Sequence, residues 1–192
     1  ILDQTYSNWE WIVVDDCSTD TSKQILTKIA TEDPRVKVYF NKVNSGAAVS
    51  RNRCLDKASG EYVAFLDSDD LWYSHKLEKQ VSFMVANKYQ FSYHNYELIT
   101  DSGQQVKEQT LANVTRSVEL LKYNPFATSS IVIKSDLITK HNIRFKEHLR
   151  RRQDYFFWYD AISHTEKAYG TGEILSKYRL AGSSSLSANK WN

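Results

Sequence analysis

Short apolar runs ending in acidic or turn residues alternate along this chain with segments whose apolar residues recur every three or four positions. "WEWIVVDD" predicts a buried parallel strand over residues 11–15. In "CSTDTSKQILTKIAT", Ser18, Thr19 and Asp20 are cap candidates and Ile25, Leu26 and Ile29 recur at helical spacing. Pro34 stops that helix, and "VKVYF" (36–40) is the next strand. A turn at Asn44-Ser45-Gly46 then precedes a helix over 47–57, Gly60 lies past its end, and "YVAFL" (62–66) is a third strand. Strand and helix alternating in this way predict an α/β fold with a parallel sheet flanked by helices. In such sheets ligands bind beyond the carboxyl ends of the strands, where Asp15, Asp16, Asp67 and Asp69 all fall.

The second half is less regular. A helix is predicted over 76–86, a strand over "FSYHNYELI" and a turn with a return strand in "TDSGQQV". A further strand follows over 129–134, then a helix in "QDYFFWYDAIS" and a polar loop in "GSSSLSANKWN". The opening "ILDQTYSNWEW" reads as the end of a helix, as in a chain missing its true N-terminus. No repeat, long linker or low-complexity segment interrupts the 192 residues, a length that suits one domain with its own core.

A net charge of +2 supplies no global field for nucleic acid or acidic lipid. Arg150-Arg151-Arg152, the one compact basic run, is expected in a solvated loop. Cys17 and Cys54 have neither metal-ligand spacing nor a disulfide framework, which fits a reducing cytoplasm. No apolar run has the length of a membrane span, and no signal peptide is visible.

The chemistry concentrates at the carboxylates. "YVAFLDSDDLW" drives an apolar strand into Asp67, Asp69 and Asp70, whose like charges call for a cation or a set of donors. D-x-D on a loop after a strand suits Mg²⁺ or Mn²⁺, which take one or two carboxylates and leave positions for phosphates and water. Surface acidic turns produce the same spacing. Asp16 would either accept from a nucleobase N–H or cap the following helix. Asn44-Ser45-Gly46 offers backbone donors to an anion, with Arg51 one turn into the helix behind it. Asp154 opens an aromatic-rich helix, where a carboxylate serves as a general base or simply complements the helix dipole.

Taken in order, "QTYSNWEW", "IVVDDCSTDTS", "NSGAAVSRNRCLDKASGEYVAFLDSDDLW" and "RRQDYFFWYD" resemble the inverting glycosyltransferases of family two, across nearly the whole chain. "AYGTGEILSKYRLAGSSSLSANK" is similar to the bacterial members that build surface polysaccharides. The resemblance implies the GT-A fold, a Rossmann-like and mainly parallel mixed sheet in one domain over 1–192. Residues 1–72 would be the nucleotide-binding half and 73–192 the acceptor side. It implies a UDP-sugar or other nucleotide-diphosphate-sugar donor, a glycan or lipid-linked acceptor, and Mn²⁺ or Mg²⁺ as cofactor. Asp16 would contact the base, with Asn44 and Arg51 near the nucleotide. Asp69 would ligate the metal, Asp67 would face the ribose or metal waters, and Asp154 would be the catalytic base. A cytoplasmic site at the inner face of the plasma membrane, with peripheral membrane contact, completes the expectation.

Four features depart from the family pattern: the first strand with its "P-x-YN" turn, expected to be missing from this chain, Cys17 and Cys54 where Gly is frequent, Gln153 in place of Glu, and Leu180-Ala181-Gly182 after Tyr178-Arg179 where relatives often carry a His. They motivate a second reading, a catalytically degenerate module of the same fold. A haloacid-dehalogenase phosphatase would need D-x-D-G-[TV], which "DSDDLW" lacks.

Overall fold

The computed structural model describes residues 1–180, so the polar loop expected over 182–192 lies outside the described residues. β1 (Trp11–Asp15), α1 (Ser22–Glu32), β2 (Val36–Phe40) and α2 (Ala47–Lys57) follow the expected order. β1 and β2 pair in parallel, with Trp11 opposite Val36 and Asp15 opposite Phe40. Of the three cap candidates, Asp20 acts: its Oδ1 accepts from Ser22 N at 2.9 Å. α1 ends where Asp33 turns extended, the conformation a residue before proline prefers. This lobe is thinly packed. Among residues 1–64 the only buried apolar side chains are Val36 and Ala48, so β1 is half-buried rather than buried as expected.

The opening segment is a correction. Residues 1–10 contain no helix. They are instead tied to the start of α3 (Lys76–Asn87), which Gln4 grips from both sides. Gln4 Nε2 donates to Tyr73 O at 2.7 Å, and Leu77 N donates to Gln4 Oε1 at 2.9 Å. Gln4 thereby satisfies one of the orphan N–H groups at the helix start, the role a cap residue usually fills.

The remaining elements are β3 (Tyr62–Ala64), β4 (Leu71–Trp72), β5 (Phe91–Ile99), β6 (Gln105–Gln109), β7 (Val114–Arg116), α4 (Ser117–Leu120), β8 (Val132–Lys134), α5 (Ser135–Lys140), α6 (Gln153–Thr165) and β9 (Lys167–Arg179), with a 3-10 turn at Thr128–Ser130. The main sheet has the order β3-β8-β5-β9-β4, with β6 on β5 and β7 on β9. The architecture is the expected mixed α/β sheet with helices packed on it, but the pairing is not mainly parallel. Among the described residues only β1–β2 and β5–β9 are parallel, and β3 pairs antiparallel with β8 rather than joining β1. The crossover pattern that argues for parallel strands holds only when both strands share a sheet, and periodicity names an element without naming its partner.

β9 was not foreseen, yet it runs beside β5 from Ser92–Tyr169 to Ile99–Arg179. Gly170 permits the approach, because a Cβ there would meet Ala112 O and a Tyr93 ring carbon, each at 2.9 Å. The core lies against this sheet: Phe145 stacks on Phe157 at 4.2 Å between ring centroids, and Trp158 meets Phe65 edge-on at 5.1 Å. No helix among the described residues is long and apolar enough to cross a membrane.

His94 on β5 is fully buried beside Lys76, whose ammonium lies 3.9 Å from the Trp72 ring centre. Burial first, and Lys76 second, push His94 down to about 3. A base held neutral in this way supports the fold above its unfolded pKa near 6.5, and that support drains away as pH falls from there toward 3. Denaturant unfolding should show His94→Gln losing less stability than the parent below pH 6, the gap widening by about 1.4 kcal/mol per pH unit. Parallel curves would place the acid sensitivity elsewhere.

Candidate active site

β1 delivers Asp15 and Asp16 to its carboxyl end. Asp15 is buried and accepts from Ser18 N at 3.0 Å, which turns the chain out of the strand. Cys17 makes that turn with φ at +65°, the left-handed region where Gly is at home, at a cost of roughly 1–2 kcal/mol. Cys54, by contrast, sits within α2. There burial pushes its thiol up to about 11, which leaves it unreactive.

Asp16 lies among donors from the β2–α2 turn and its flanks. Its Oδ1 accepts from Asn41 Nδ2 at 2.7 Å and Ser45 N at 2.9 Å, and its Oδ2 accepts from Gly46 N at 2.7 Å. Partial burial opposes its ionisation, but the donors of Asn41, Ser45, Gly46 and Ser50 outweigh that and hold the carboxyl below its usual range. Gly46, with φ at +87°, completes the turn. The anion facing this turn's backbone donors is therefore Asp16 itself, which locks the end of β1 to the start of α2. Asn44 is exposed at the rim of the same turn.

Arg51 projects from α2 onto the other acidic strand end. Its guanidinium pairs with Asp67 Oδ1 at 2.5 Å and lies 5.5 Å from the Phe145 ring centre. The Asp67–Asp70 loop is held from below by Ser129, whose hydroxyl oxygen accepts from Asp67 N at 3.0 Å while its proton goes to Asp70 Oδ2 at 2.5 Å. Asp70 is buried and also accepts from Arg179 N at 2.9 Å. Burial pushes it up to about 7, aided by the charges of Asp67 and Asp69 and opposed by these two donors. The Arg179 guanidinium wraps the loop, donating to the carbonyls of Asp69 at 3.0 Å, Thr100 at 3.0 Å and Asp101 at 2.7 Å.

Asp69 is thus fixed through its backbone while its exposed carboxylate accepts no hydrogen bond from the described residues. No cluster of three or more His, Cys, Asp or Glu able to hold a metal exists among those residues. The carboxylates this loop offers are the exposed one of Asp69 and that of Asp67, one oxygen of which is taken by Arg51, so the donor set is an open one. That fits a hard divalent ion completed by diphosphate oxygens and water, and does not fit a closed protein cage.

Asp154 lies in the first turn of α6, half-buried, with Asn124 Nδ2 3.5 Å from its Oδ2. α6 is anchored under Arg51 through the Phe145–Phe157 stack. Gln153 points into the interior, where a charged Glu would have been buried beside Asp154. Contacts thus join Arg51 directly to Asp67, and the pair through α2 and Asn41 to Asp16, while Asp154 belongs to the helix packed behind them. Trp158 is core, and Trp72 covers Lys76 while its Nε1 donates to Ser129 O at 2.8 Å. Asn41, Ser129 and Arg179 join the site only through the fold. Asp70 was visible as the third carboxylate of the loop; Ser129, distant in sequence, had no local signal.

Two cavities of about 410 and 720 Å³ lie apart from these carboxylates, the first along Asn52, Arg144 and Glu147, the second among Tyr62, Tyr89 and His141.

Comparison with known proteins identifies the family. A family model described as glycosyl transferase family 2 matches residues 1–160. The chain is 39% identical to a putative teichuronic acid biosynthesis glycosyltransferase, TuaG, of Bacillus subtilis, over all of this chain and 75% of that protein. It is 36% identical to WfgD of Escherichia coli, a UDP-Glc:α-D-GlcNAc-diphosphoundecaprenol β-1,3-glucosyltransferase, over all of this chain and 73% of that one. A crystal structure of Staphylococcus aureus TarS residues 1–349 with UDP superposes with a TM-score of 0.77 at 23% identity, over 93% of this chain. The chain spans about half of that structure, 54% of its length, and the likeness shows the GT-A fold. Fold, motif order and sequence identity converge on one conclusion: the chain belongs to glycosyl transferase family 2.

Proposed function

We propose that this glycosyltransferase transfers a sugar, with inversion at the anomeric carbon, from a UDP-sugar to a hydroxyl of a glycan or lipid-linked acceptor, on the cytoplasmic side of a bacterial membrane during surface-polysaccharide synthesis. The observation that carries the reading is the Asp67–Asp70 loop. Ser129, Arg179 and Arg51 fix it so that the Asp69 carboxylate stands free. The names of the relatives support the chemistry: TuaG in teichuronic acid synthesis, WfgD with a UDP-glucose donor and a diphosphoundecaprenol-linked acceptor, TarS with bound UDP.

The roles are those the family resemblance implies for these residues. Asp16 and the turn at Asn44 border the site of the base and ribose. Arg51 neutralises Asp67 and brings a cation to the nucleotide side of the loop. Asp69, with Asp67 beside it, would hold Mn²⁺ or Mg²⁺, which neutralises charge on the departing nucleoside diphosphate. Asp154 accepts the proton of the acceptor hydroxyl as that oxygen bonds to the anomeric carbon and the bond to the diphosphate breaks. One displacement inverts the configuration. Incubation of the intact protein with UDP-glucose, UDP-GlcNAc and a lipid-diphosphate sugar acceptor, read by NMR of the anomeric proton, tests this. An inverted linkage is expected. A retained one overturns the mechanism, and donor binding without turnover on any acceptor favours the degenerate module.

A further inference from the structure

The largest exposed apolar side chains near Asp154 cluster on neighbouring segments. Val118 on α4 is 59% exposed, Leu121 63%, Tyr123 66%, and Phe156 on α6 42%. α4 packs against α6, and Asn124, directly after Tyr123, reaches back to Asp154. Single exposed apolar residues are ordinary, but four on touching elements, two of them at least 63% exposed, call for a partner. Exposed cations flank them along the chain: Arg116 and Lys122 on one segment, and Arg150, Arg151 and Arg152 leading into α6. The exposed acid in the first segment is Glu119, whose Oε2 accepts from Arg116 N at 2.7 Å. The chain's charges nearly balance overall, so this is a local concentration and not a global field.

We infer that this face docks on an anionic lipid bilayer, with Leu121, Tyr123 and Phe156 entering the headgroup–acyl boundary and the arginines pairing with lipid phosphates. Apolar tips interleaved with exposed cations are the chemistry of an interfacial anchor on an anionic surface. The docking places Asp154 at the membrane surface, where a lipid-linked hydroxyl would be presented. Only that consequence rests on the function proposed above. The surface itself stands on exposure and charge.

Co-sedimentation of the intact protein with phosphatidylcholine vesicles, with and without about 30% phosphatidylglycerol, tests the inference. The parent should pellet with the anionic vesicles and be released by high salt. The combined Leu121→Ser, Tyr123→Ser and Phe156→Ser protein should bind on the order of a hundredfold more weakly. Arg150→Gln and Arg151→Gln should each weaken binding about fivefold and flatten the salt dependence. UDP titration and circular dichroism of the same variants verify the fold, and Leu121→Ser alone serves if the triple variant is unstable. A parent that stays in the supernatant, variants that pellet like the parent, or a patch whose loss only dissolves a dimer would each overturn the inference. Vesicle binding without UDP binding would defeat the donor-site reading and leave the surface standing.

Discussion

Asp154→Asn should fold like the parent and bind UDP like the parent, yet transfer sugar with kcat lower by about 10²–10⁴, the range a positioned general base contributes. The substitution is nearly isosteric and keeps an acceptor oxygen within reach of Asn124 Nδ2, so α6 has no reason to move. What it removes is the capacity to take a proton. The measurement is steady-state transfer at several acceptor concentrations. A fall in kcat at unchanged donor affinity supports the assignment, whereas a fall of less than about tenfold would return Asp154 to the part of a first-turn helix carboxylate. Asp160, further along the same helix, is the control: Asp160→Asn should leave turnover unchanged.

Trp158→Ala should cost about 3–5 kcal/mol, the usual range for emptying a large aromatic site in a close-packed core. Trp158 is fully buried and meets Phe65, Phe91, Phe145 and Phe157 at ring-centroid separations from 5.1 to 6.2 Å. These rings join the main sheet to α6, so the cavity would loosen the support of Asp154 as well as the fold. Trp158→Phe should cost far less, under about 1.5 kcal/mol. The indole N–H finds no acceptor among the described residues, and phenylalanine removes that buried donor along with some volume. Equal losses in the two variants, measured by urea unfolding, would show that the N–H is satisfied after all.

Much of the site could be read from the chain because its parts are local. α2 runs over the expected 47–57 and β5 over the expected "FSYHNYELI", each marked by a strong period and clear flanking turns. The carboxylates at the ends of β1 and β3 followed from the same reading. The losses have physical causes. β9 is interrupted by Gly170 and Gly172 and bulges against β5 near Asn95, so it shows no clean alternation although it is central to the sheet. The helix expected in the opening segment failed because Gln4 and Thr5 bond to Tyr73 and Ser74, some seventy positions away. Asp16 was expected either to accept from a base or to cap the following helix, and its carboxylate meets the turn that carries Asn44. Nothing in "VVDDCSTD" says which donors its carboxylate will meet. Ser129 and Arg179 hold the acidic loop from elements 60 and 110 residues downstream, reachable only through the fold.

The central claim is that the loop held by Ser129 and Arg179 presents Asp69 to a nucleoside diphosphate through a divalent ion. Calorimetric titration of UDP into the intact protein, with and without Mn²⁺, and into Asp69→Ala, tests it most directly. Binding that requires Mn²⁺ and is lost in Asp69→Ala is the predicted result. Equal UDP affinity in Asp69→Ala, or binding indifferent to the metal, would contradict it.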